Sequence, residues 1–126
     1  MKIEVSIGEI VDKLTILDLK LRNILDESKL FNIKKEHNYL KEIITSDNTF
    51  DLSSDEYKKL FQINLKLWQI EDYIREKENE QDFGLEFISL ARQVYKTNDE
   101  RAKIKKDINL KYNSEFIEEK SYSEYK

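Results

Sequence analysis

The amino-acid sequence predicts an all-α protein, an antiparallel helical bundle of four to five helices with a short C-terminal tail. Three observations carry this. The 126 residues contain no proline and only two glycines, Gly8 and Gly84, too little turn punctuation for a β-rich chain. Charged residues make up 38% of the chain beside 39% hydrophobic ones. Helices accommodate that mixture by turning one face to the core and giving the other to ions. Finally, apolar side chains recur at alternating three- and four-residue steps over two long stretches. The length suits one helical domain over residues 1–126 and supports a core without disulfides.

Residues 2–5 read as a short extended lead-in. Ser6-Ile7-Gly8-Glu9 is a capping box, in which the Ser6 hydroxyl accepts from the Glu9 amide and opens a helix. Ile7, Ile10, Leu14, Leu17, Leu21 and Ile24 then form a seam that carries this helix to about Asp26. Ser28 is the expected cap of a second helix over about 28–46, with Leu30, Ile33, Leu40, Ile43 and Ile44 inward. Residues 46–53 form a loop. Ser53-Ser54-Asp55-Glu56 is a second capping box, opening a long helix over about 54–79. Its Leu60, Ile63, Leu67, Ile70 and Ile74 repeat the seam spacing, so the first and third helices are expected to pack together. The stretch around Gly84 closes it, and a fourth helix starts near Leu85. Thr97-Asn98-Asp99-Glu100 repeats the capping pattern, so a break is expected there, with a fifth helix over 98–112. The tail is expected to dock through Phe116 and Ile117.

The net charge is −4 and the pI about 5.2, so the strongly basic footprint of a nucleic-acid binder is missing. Residues 103–106 are basic, but the acidic stretch 71–86 is their expected counterpart within the fold or across an interface. With no cysteine and one histidine, His37, disulfide, thiolate and zinc chemistry are not expected, and no metal or cofactor is. Neither a signal peptide nor a membrane span is visible, so the expected location is the cytoplasm. Gly-rich phosphate loops, H-E-x-x-H and G-x-S-x-G are absent. Glu76, Glu78 and Glu80 alternate along a helix and so diverge, unlike the carboxylates that hold magnesium in all-α pyrophosphohydrolases. A chorismate-mutase-like site around Arg22 would need more arginines.

Three polar constellations remain as candidates. Glu9, Asp12 and Lys13 lie beside the first seam, with Glu9 and Lys13 at favourable i,i+4 polarity. Trp68, Glu71 and Arg75 share a face of the third helix, where a ring could stack on the indole while Arg75 holds an anion. Asn98, Asp99, Arg101 and Lys105 form the densest cluster, at the start of the expected fifth helix, where free amides favour an anion. Each also has an ordinary reading, as a solvated ion pair, a covered tryptophan or a helix cap. His37 has no visible acid partner in sequence and reads as a surface residue.

EVSIGEIVDKLTILDLKL at 4–21, LWQIEDYIRE at 67–76 and LARQVYKTNDERAKIKKDINLKYNSEFIEEKSY at 90–122 resemble an uncharacterised family of small all-helical proteins of bacteria and their phages. The resemblance rests on its S-I-G-E-x-x-D-K and Y-x-T-N-D-x-R blocks. It implies that Ser6, Glu9, Asp12, Lys13, Asn98, Asp99 and Arg101 form one site. It also implies a link to glycan metabolism, and a host cytoplasmic location for phage members. Two functions follow as expectations. The first is a non-enzymatic helical binding or assembly module, with a protein partner or a second copy joined through a heptad seam. The alternative is a small enzyme or ligand-binding domain for an anionic small molecule, such as a phosphorylated or nucleotide sugar, with Lys13 and Lys105 leaving positive charge for it. Whether the chain is an enzyme stays open at this level.

Overall fold

The computed structural model describes residues 1–125. Four helices follow one another: α1 Ile7–Asn23, α2 Glu27–Thr45, α3 Asp55–Asn79 and α4 Leu85–Lys111, with a short 3-10 turn at Ser46–Asn48. No strand occurs among the described residues. Helix α1 packs against all three others, and α3 pairs with α4. The α3–α4 pair is antiparallel, tied at one end by Lys111 to Glu56 at 2.6 Å and at the other by Lys77 to Glu86 at 2.8 Å.

Local chemistry sets the helix ends. Ser6 Oγ accepts from the Glu9 amide at 3.2 Å, as its capping box predicts. The other caps depart from the sequence reading. Asp26, not Ser28, opens α2, its carboxylate accepting from the Ser28 and Lys29 amides at 3.0 and 3.1 Å, and α1 correspondingly stops at Asn23. Ser54 rather than Ser53 opens α3, because Asp51 holds the Ser53 amide at 2.9 Å. At the end of α3 the left-handed residue is Gln81, φ 57°, and the Asp82 amide bonds back to the Lys77 carbonyl at 3.0 Å.

The expected break at Thr97 does not occur: α4 runs unbroken over 27 residues, and there is no fifth α-helix among the described residues. Thr97, Lys105 and Ile108 are buried and Arg101 is half-buried. At steps of four, four and three they make one inward stripe, so Thr97 faces the bundle instead of capping a new helix. Packing of that stripe overrides the local preference.

Val11, Leu14, Ile44, Phe50, Leu60 and Ile108 form the core, with Leu17, Leu19 and Ile70 also buried. Leu14 and Leu17 of the first seam and Leu60 and Ile70 of the second thus face the interior of their own chain. Of the seam residues expected inside, Leu21, Ile63 and Leu67 are only half-buried. A helix of 25 residues spans about 37 Å against about 26 Å for one of 17. The α3–α4 pair thus outruns α1, leaving Tyr73, Phe83, Leu85 and Ile88 exposed. Phe116 and Ile117 are also exposed. The tail docks instead through ion pairs from Lys105 to Glu118 and Lys106 to Glu119, and through Tyr125, which donates to Asp99 at 2.7 Å and meets the Tyr95 ring edge-on.

Candidate functional site

The two motif blocks meet along the α1–α4 contact. Asp12 is 2% exposed, and a carboxylate so placed needs compensation. Arg101 supplies it through a two-pronged pair, Nε donating to Oδ1 at 2.9 Å and Nη2 to Oδ2. The Asp12 hydrogen bond raises the guanidinium's pKa above its already high value, against a smaller opposing effect of burial. Asn64 of α3 completes the shell, its amide donating to Asp12 Oδ1 at 2.8 Å and to Thr15 Oγ1 at 2.7 Å. Thr15 in turn donates to the Asp12 carbonyl at 2.7 Å. Lys105 lies alongside, 2.7 Å from Glu9, 3.9 Å from Asp12 and 3.4 Å from Glu118 of the tail.

Gly8 explains why α1 and α4 approach so closely one to two turns beyond Arg101. Its amide donates to Asn109 Oδ1 at 2.6 Å. A Cβ at Gly8 would sit 2.6 Å from the Lys105 carbonyl oxygen and 2.9 Å from Asn109 Oδ1. The glycine therefore permits backbone contact between α1 and α4. One position earlier, the Ile7 amide donates to Ser114 Oγ at 3.0 Å.

Other candidates go elsewhere. Lys13 turns to Glu36 of α2 at 3.4 Å, and Asp99 turns to Tyr125 in the tail. Lys13 and Lys105, the two cations expected to leave positive charge for an anion, each have carboxylate neighbours in this chain. The free amides of a fifth helix are also missing, since Asn98 and Asp99 lie inside α4.

Trp68, Glu71 and Arg75 do share a face. The Arg75 Nε lies 3.3 Å from Glu71, a pair exposed enough to contribute little stability. With Asn64, Asn98 and Arg101 they line a groove of about 400 Å³ over the Asp12 cluster. Asn98 Oδ1 is 3.4 Å from Arg101 Nη1, so the same arginine joins the buried pair to the groove wall. Asp72 lines the groove too.

Sequence reasoning missed a second polar junction. Asp18 of α1 accepts from His37 of α2 at 2.7 Å on one oxygen and from the Tyr57 hydroxyl of α3 on the other. Burial, then the bond to Asp18, raises the Tyr57 pKa. Asp18 lies 19 residues from His37 and 39 from Tyr57, beyond any local spacing rule. Asn64, Asn109 and Thr15 were missed as well. For Thr15 and Asn64 the available signal was their position beside the seams, where a polar residue among leucines marks a specific partner. Among the described residues no three His, Cys, Asp or Glu side chains are placed to hold a metal, and no helix is long and apolar enough to cross a membrane.

A protein-family model described as a family of unknown function, DUF6165, matches residues 1–125. No curated protein and no solved structure matched the chain.

Proposed function

For a chain that belongs to the family of unknown function DUF6165, we propose a non-enzymatic binding role, with recognition in the groove between α1, α3 and α4. One observation carries the reading: the chain's only tryptophan, Trp68, lines a groove together with polar groups of both kinds. Arg75 offers donors, Asp72 and Glu71 offer acceptors, and Asn98 offers both. The charges beneath are paired with one another, so they act as a fixed floor holding α1, α3 and α4 in register. The ligand that matches is uncharged and rich in hydroxyl or amide groups, with one flat apolar face to stack on the indole. An anionic ligand is the less favoured reading, because Arg101 is held by Asp12 and Arg75 stands beside two carboxylates.

Trp68 makes the test direct, since all tryptophan fluorescence comes from the groove. Titration with N-acetylglucosamine oligomers should shift its emission, and Asp72→Asn or Asn98→Ala should weaken binding about tenfold. A stronger response to glucose 1-phosphate or a nucleotide sugar would replace this reading with the anionic one. No response to either class would remove the groove as a recognition site.

A further inference from the structure

We propose that the chain forms a two-fold homodimer in which residues 1–5 of two copies pair as an antiparallel β-ribbon laid over the outer face of α2.

The lead-in Met1-Lys2-Ile3-Glu4-Val5 alternates apolar and charged residues at period two, the pattern of a strand with one buried face. It belongs to no helix. Among the described residues its backbone groups make no hydrogen bond to the rest of the chain, which leaves both edges open to another strand. Its apolar side chains are uncovered, Met1 at 116%, Ile3 at 73% and Val5 at 40% exposure. They border a hollow of about 840 Å³ whose far wall is α2, through Tyr39, Leu40 and Ile43. Tyr39 and Ile43 are themselves exposed. Two strands alone are marginal in water and need a helix to pack on, and α2 provides one.

Charge selects the occupant and the register. In an antiparallel pair centred on Ile3, that residue faces its own copy, Met1 faces Val5, and Lys2 faces Glu4 on both sides of the axis. All three apolar residues then fall on one face, and both charged pairs are opposite in sign. A parallel pair would set Lys2 against Lys2. Centring on residue 2 or 4 would oppose like charges at the axis, and a one-residue slip would set apolar side chains against charged ones. The segment is therefore complementary to itself in one register, as an isologous interface requires. None of these residues belongs to the Trp68 groove, so this proposal and the binding reading stand or fall separately.

Sedimentation equilibrium on the full chain, with no residues added ahead of Met1, tests it. A concentration-dependent dimer is expected. Lys2→Glu or Glu4→Lys alone turns two attractive pairs into two repulsive ones and should weaken the dimer about tenfold or more. The double variant, Lys2→Glu with Glu4→Lys, should restore the wild-type constant to within about twofold. Both positions are exposed, and unchanged circular dichroism would confirm that the helices persist. A chain that stays monomeric at every concentration overturns the proposal, as does a dimer whose constant ignores the single reversals or is not rescued by the double.

Discussion

Asp12 and Arg101, 89 positions apart in the chain, close a two-pronged ion pair across the α1–α4 contact, with the carboxylate almost wholly buried. Removing the arginine leaves a buried charge with Asn64 and the more distant Lys105 as its remaining support. Arg101→Ala is expected to lower unfolding free energy by about 3 kcal/mol. A double-mutant cycle with Asp12→Ala, read from urea midpoints, should return a coupling of about 0.5–3 kcal/mol. Additive single effects would show that the pair holds nothing together.

Gly8 gives a prediction of unusual sign. Replacing a helical glycine by alanine ordinarily stabilises by up to about 1 kcal/mol. Here the new methyl would meet the Lys105 carbonyl at 2.6 Å, and a backbone atom cannot swing aside. Gly8→Ala should therefore destabilise, by about 1–3 kcal/mol as other overpacked sites do, and should disturb α4 amides near Lys105 in hydrogen exchange. Increased thermal stability would mean that α1 and α4 separate without penalty.

Seam positions should divide by burial. Leu17 is 2% exposed, and Leu17→Ala is expected to cost about 2–5 kcal/mol. Leu67 is half-buried at the groove, so Leu67→Ala should cost clearly less. Chemical denaturation of the two variants checks this, and equal losses would place Leu67 in the core.

The helices and their seams were legible because apolar periodicity is a local signal that survives tertiary context. Meeting of the Gly8 and Arg101 blocks was legible for a different reason: a poor helix former and a run of polar residues sit where propensity alone would not place them. What stayed hidden was direction. Thr97 has the residue pattern of a cap, and only its inward position on the stripe shared with Lys105 and Ile108 shows that it is not one. Lys13 sits one residue from Asp12 yet serves α2, because adjacent positions on a helix point about 100° apart. The Asp18–His37–Tyr57 junction joins three helices through single side chains, and no period in the sequence marks such a contact.

That junction yields the pH prediction. In the fold, burial and the bond to the Asp18 carboxylate both favour the protonated phenol, raising the Tyr57 pKa above its ordinary 10.0. The unfolded chain releases this proton at about pH 10, while the folded chain still holds it. Below that pH the stabilisation is fully present, and it is lost as pH rises above the unfolded value toward the folded one. Several lysines with raised pKa values, Lys111 and Lys77 among them, lose stability in the same direction, so a simple alkaline decline proves nothing about Tyr57. The difference between wild type and Tyr57→Phe isolates it. Phenylalanine keeps the ring packing and cannot ionise, so the variant should be less stable at neutral pH, where the bond to Asp18 is lost. The gap should then narrow as pH climbs past about 10. Urea midpoints for both proteins from pH 7 to 11 measure this. Parallel curves over the whole range would mean that the Tyr57 proton titrates alike in the folded and unfolded chain.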